Sequence, residues 1–95
     1  MGMMVGLCTV ELHFPDVQSL KGKRQILSSL INRLRNRFNV SVAEIDEHDL
    51  WQKAILGVAC VANDTGRVNQ ILDQALNLIR SNPSLELLRS QIEIL

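Results

Sequence analysis

The side chains with the clearest chemical potential are six cations. Lys21, Lys23, Arg24, Arg33, Arg35 and Arg37 are six of the ten Lys and Arg residues, and they share a 17-residue stretch that contains no Asp or Glu. The formal net charge of zero therefore conceals a segment of +6, because the remaining four cations face all ten acids. Charge gathered on one element is the electrostatic footprint of an anionic partner. On a helical wheel, Lys21, Arg24 and Arg35 lie along one margin of the buried stripe and Arg33 and Arg37 along the other. Between them run Gln25, Ser28, Ser29, Asn32 and Asn36. Uncharged hydrogen-bonding groups framed by cations suit a sugar–phosphate backbone, whose phosphates attract the cations and whose oxygens accept from amides and hydroxyls. Two plainer readings stay open. Arginines of a solvated helix lie beside a core in the same way. The acidic run Glu44, Asp46, Glu47 and Asp49 is an internal partner for Lys21, Lys23 and Arg24, which sit unfavourably at a helix N-terminus without an anion.

Other chemistries fare less well. Glu11 and His13 alternate on one strand face and with Glu44, Asp46 or His48 imitate a metal site. A tight site needs three or four supported ligands, so paired surface polar groups are the better reading, and neither residue shows a partner that would tune it for acid–base work. Pro15 to Arg24 occupies the place of a phosphate-cradling loop, with Gly22 and Arg24. The glycine pattern of acylphosphatases is missing, however, no Asn on the third strand is placed to hold a water, and no GxxxxGK[ST] occurs. Base stacking on a sheet needs aromatics on the central strands. This chain has Phe14, Phe38 and Trp51, and two of them belong to the core by periodicity. The expectation is no metal, no cofactor and no enzyme.

The elements that position these residues follow from periodicity. Val5 to Phe14 reads as a strand with Cys8, Val10, Leu12 and Phe14 on one face and Val5, Leu7, Thr9, Glu11 and His13 on the other. Pro15-Asp16 ends it. Ser19 caps a helix over Leu20 to Arg37, with Leu27, Leu30, Ile31, Leu34 and Phe38 as its buried stripe and Ile26 at the margin. Residues 39 to 47 form a second strand, and Trp51 to Ala62 a third that is apolar on both faces and hence central. Asp64 caps a second helix whose stripe is Val68, Ile71, Leu72, Ala75, Leu78 and Ile79, and Asn82-Pro83 stops it. Leu85 to Leu95 is the last strand, with Leu88, Ile92 and Ile94 inward. The order βαββαβ and the preference for right-handed crossovers specify one α+β domain over 1–95, with a ferredoxin-like four-stranded antiparallel sheet, first and third strands central, and both helices on one face. The uncovered face then carries Val5, Leu7, Ile55, Gly57, Ala59 and Val61. An apolar patch of that kind marks an interface, and a homodimer is the simplest occupant. Cys8 and Cys60, each in an apolar run, read as buried reduced thiols. No stretch reaches membrane-span length, and the apolar start lacks the flanks of a signal peptide.

Four motifs in order carry a resemblance: Thr9-Val10-Glu11-Leu12-His13, Ser19-Leu20-Lys21-Gly22-Lys23-Arg24, Arg37-Phe38-Asn39-Val40-Ser41-Val42-Ala43-Glu44 and Asp49-Leu50-Trp51-Gln52-Lys53-Ala54. Together they resemble the YlxP-like family of small uncharacterised bacterial proteins, from about Val5 to Leu95. The resemblance implies a cytoplasmic protein with a ferredoxin-like fold. It brings no activity, but such proteins are commonly encoded beside translation initiation factor 2 and ribosome-binding factor A, which implies work on the ribosome or its RNA. One departure stands out: the family's helix start usually reads Ser-Leu-Lys-Glu-Lys-Arg, a capping box, and here Gly22 replaces the Glu.

The combined expectation is a non-enzymatic accessory protein that contacts ribosomal RNA, or a ribosome-associated protein, through Lys21, Lys23, Arg24, Arg33, Arg35, Arg37 and Asn32. A protein–protein or dimerisation module acting through the apolar sheet face is the alternative, and a small phosphohydrolase-like enzyme the third. No membrane partner is expected.

Overall fold

The structure, a computed structural model, describes residues 2–95. The elements run β1 (Met4–His13), α1 (Leu20–Arg37), β2 (Val40–Asp46), β3 (Lys53–Ala62), α2 (Thr65–Arg80) and β4 (Glu86–Ile94). The four strands form one antiparallel sheet in the order β2-β3-β1-β4, so β1 and β3 are central and the fold is ferredoxin-like. Among the described residues, no helix is long and apolar enough to cross a membrane.

Alternation along β1 and β3 decides what the sheet buries. Cys8, Val10 and Leu12 of β1 stand beside Ala54, Leu56, Val58 and Cys60 of β3 under the two helices, and Phe14 closes the same core beyond the end of β1. Leu27, Leu30 and Leu34 of α1, with a wide apolar face of α2 that includes Leu76, complete it. Both helices start with the expected side-chain caps: Ser19 Oγ accepts from Gly22 N at 3.0 Å and Asp64 Oδ1 accepts from Arg67 N at 2.8 Å, each satisfying an amide that the helix itself leaves open. The helix α2 lies so close to β1 that a Cβ on Gly6 would come within 2.3 Å of Val68 Cγ1. Glycine is required there by proximity, not by backbone angle.

Two bulges change the phase of the edge strands. In β4 the register shifts opposite Glu11 and Leu12. Leu87 therefore turns toward the core, and Leu88, expected inward, is 50% exposed. A bulge inserts one residue and reverses the alternation beyond it, which a period-2 reading cannot anticipate. In β2 the extra residue is Ile45, between Glu44 opposite Leu56 and Asp46 opposite Ile55. The third strand also begins later than expected, at Lys53, because residues 47–52 are committed to a loop.

Candidate functional site

The helix α1 divides its cations between two sides. Lys23 lies on the buried side, at 0% exposure, one turn before Leu27. Its ammonium reaches into the loop between β2 and β3 and donates to the carbonyl oxygens of Glu47 (2.8 Å), Lys53 (3.0 Å) and His48 (3.4 Å). Glu44 Oε2 stands 3.2 Å from the same nitrogen and is buried without a hydrogen bond. The two facts agree: an ammonium has three hydrogens, the three carbonyls take them, and the carboxylate oxygen is held by charge alone. Its other oxygen lies 4.0 Å from His48 Nε2. Glu47, at φ 67°, makes a left-handed turn in this loop, with its amide accepted by Asp46 Oδ1 at 2.8 Å. Lys23 is thus the ion at the centre of an oxygen cage, and the expectation that it meets an external phosphate is corrected. The helical phase that places Leu27, Leu30 and Leu34 on the core places Lys23 there too.

Arg35 is partly committed as well. Its Nη2 donates to the Val42 carbonyl of β2 at 2.7 Å, tying α1 to an edge strand. The Arg37 guanidinium sits 5.6 Å from the centre of the Phe38 ring, within cation–π range. Lys21, Arg24 and Arg33 remain exposed, and with Gln25, Ser28, Ser29, Asn32 and Asn36 they line a shallow hollow along the outward face of α1. No salt bridge among the described residues engages these three cations. Arg24 also lines a groove between α1 and β2 with Arg35, Val42 and Glu44.

Val5, Leu7, Ile55, Gly57 and Ala59 are half-buried and Val61 is exposed, all on the side of the sheet away from the helices. A trough of about 420 Å³ crosses this side, walled by Leu7 and Ile45 above a floor of Thr9, Ser41, Ala43, Gly57 and Ala59. Ile45 is 58% exposed and leans over Gly57, where an added Cβ would meet its Cδ1 at 3.0 Å. Sequence reading missed Ile45 as part of this surface, although its phase opposite Val40 and Val42 was a signal. On the same face Glu11 meets Arg89 at 3.9 Å and His13 Nδ1 meets Glu86 at 3.3 Å, so these two bond across to β4 and not to each other. Cys8 and Cys60 are buried free thiols, and burial pushes both above the ordinary thiol value. That keeps them protonated and poorly nucleophilic at neutral pH.

A family model described as "Protein of unknown function (DUF503)" matches residues 5–92. "Uncharacterized protein YlxP" of Bacillus subtilis (strain 168) is 36% identical over 83 residues, which span 87% of this chain and 90% of that protein. Among solved structures, the de novo designed protein Foldit4 superposes with a TM-score of 0.50 at 14% identity, covering 98% of this chain and 93% of the design. At that identity the likeness concerns the fold alone, and a fold of this kind carries no function by itself.

Proposed function

The chain belongs to the family described as Protein of unknown function (DUF503), and we propose that it acts without catalysis, by binding the sugar–phosphate backbone of structured RNA along the outward face of α1. One observation carries the reading: after Lys23 and Arg35 are engaged internally, the exposed face still presents Lys21, Arg24 and Arg33 around a row of amides and hydroxyls that includes Asn32, with no carboxylate on the helix. Cations supply the attraction, and Gln25, Ser28, Ser29 and Asn32 supply donors for phosphate oxygens and 2′-hydroxyls. The genomic neighbourhood implied by the family resemblance points the same way, to ribosomal RNA in the cytoplasm.

Binding of a structured RNA, followed over a range of salt, tests this. Affinity falls with salt, and replacing Lys21, Arg24 and Arg33 together by Ala weakens binding and flattens the log–log slope by roughly 0.9 for each phosphate no longer neutralised. Unchanged affinity and slope in the triple variant would remove α1 as the contact surface. Competition by unrelated RNA separates this from docking on an acidic protein, which salt also screens.

A second reading concerns the opposite side of the molecule. The apolar trough between Leu7 and Ile45, with Val61 at its end, favours a homodimer through the open sheet face. Sedimentation across a concentration series tests it: Ile45→Glu lowers the dimer fraction, and a monomer at every concentration for the unaltered chain excludes it.

A further inference from the structure

The chain has a single Trp and no Tyr, and the structure does not place that Trp on the sheet. Trp51 lies in the loop just before β3, 52% exposed. Its surroundings are pinned on both sides. Ahead of it, the Glu47 and His48 carbonyls accept from Lys23, and Leu50 N donates to Glu47 O at 3.1 Å. Behind it, Gln52 O accepts from Phe14 N at 2.8 Å, the Gln52 amide donates to the Pro15 and Val17 carbonyls at 3.3 Å each, and Lys53 O accepts from Lys23. A large indole held in water by a fixed loop is an unusual arrangement, since an aromatic of this size ordinarily buries most of its surface. Beside it opens a hollow of about 440 Å³ lined by His13, Asp49, Leu50, Trp51, Gln52 and Lys53.

This loop stands at the end of the molecule where α1 begins, because the anchor of the loop is Lys23 of the first turns of α1. Arg24, the next residue along α1, lines the groove between α1 and β2 together with Glu44, whose carboxylate stands 3.2 Å from the Lys23 ammonium. We propose that Trp51 is a stacking platform for one unpaired nucleobase at the end of the RNA path along α1. This rests on the backbone-binding reading above and extends it from duplex to an adjoining single strand. Trp51 and Leu50 offer the flat apolar contact, which is indifferent to sequence because every base has a π-face. The Asp49 carboxylate in the wall of the hollow repels a phosphate, so it is the neutral base that enters, with the exposed Lys53 left for the backbone. Unlike the sheet-face aromatics of other RNA-binding folds, this platform belongs to a loop, and its rigidity comes from a buried ammonium.

The test uses the full chain and two RNAs: a blunt hairpin and the same hairpin carrying a short single-stranded tail, with the tail tried at each end. Labelled-RNA anisotropy reads affinity, and intrinsic fluorescence reads Trp51 alone. The expected result is that the tail at one end tightens binding on the order of ten-fold, quenches the indole, and loses its advantage in Trp51→Ala, while blunt-hairpin binding stays unchanged. Trp51→Phe keeps part of the advantage. If the blunt hairpin binds but neither tail adds affinity nor disturbs the fluorescence, the stacking inference is overturned and the α1 reading stands. Equal losses for blunt and tailed RNA in Trp51→Ala overturn it too. If neither RNA binds, both readings fall. A fluorescence change that follows protein concentration in the absence of RNA assigns the loop to self-association instead.

Discussion

Lys21 and Lys23 are two residues apart and chemically identical, yet they belong to different parts of the molecule. Lys23 is fully buried, with its three hydrogens taken by carbonyls and a carboxylate at 3.2 Å. Lys21, with Arg24 and Arg33, looks into solvent across amides and hydroxyls. Two residues along a helix are about 200° of rotation, enough to convert a recognition cation into a structural one. A count of positive charge therefore says less about binding than the phase of each charge relative to the core, and the set of cations free of internal partners is smaller than six.

The comparison breaks most sharply at Lys23. Replacing it by Ala leaves the Glu44 carboxylate and three loop carbonyls without their cation, and a buried pair broken on one side costs about 3–5 kcal/mol. Urea unfolding should show that loss, and Lys23→Ala combined with Glu44→Gln should cost less than the sum, since the two residues are coupled. Additive losses would mean that the cage is not a unit. Next comes a purely steric change on the same buried side of the sheet: Gly6→Ala drives a methyl into Val68 and is expected to cost roughly 1–3 kcal/mol, with partial recovery in the Val68→Ala background. A silent Gly6→Ala would show that α2 can shift freely. Arg35→Ala is intermediate, losing one charged hydrogen bond to the β2 carbonyl, on the order of 1 kcal/mol.

The outward residues sharpen the contrast from the other side. Replacing Lys21, Arg24 and Arg33 by Ala is expected to move the unfolding free energy by less than about 0.5 kcal/mol while flattening the salt dependence of RNA binding. Comparable stability loss from this triple variant and from Lys23→Ala would erase the distinction between the two sides. A change of opposite sign is expected at Gly22, where the capping bond to Ser19 survives but no side chain returns one. An added Cβ has ordinary room toward Val17 Cγ1 at 3.7 Å and a close neighbour in Ser19 Oγ at 3.3 Å. Gly22→Glu, which restores the capping box, should raise stability by roughly 0.5–1 kcal/mol, read as a shift in the urea midpoint.

Much of the architecture could be read from the chain because it depends on local periodicity. The apolar alternation of Cys8, Val10, Leu12 and Phe14, the stripe from Leu27 to Leu34, the caps Ser19 and Asp64, and the stop at Asn82-Pro83 each involve neighbours within a few residues. The two-faced pattern of Ala54 to Val61 identified β3 as central, since only a covered strand tolerates apolar residues on both sides. The basic segment was equally visible as a composition, and so was the apolar row on the open sheet face.

Tertiary structure alone decided how those groups are used. Lys23 meets its partners 24, 25 and 30 residues away, and no local pattern records which carbonyls a loop will turn toward it. The bulge opposite Glu11 and Leu12 reverses which of Leu87 and Leu88 enters the core. Trp51, which reads as strand by composition, is held in the loop because the peptide groups around it bond to Lys23 and Phe14, and the Gln52 side chain to the 15–17 segment, instead of to a neighbouring strand. By itself the sequence determined the order of elements, their caps and their buried faces, all set by interactions within one or two turns. The folded chain determined which cations are spent on cohesion and which are left for a partner, because that depends on distances between residues the chain brings together only at the end.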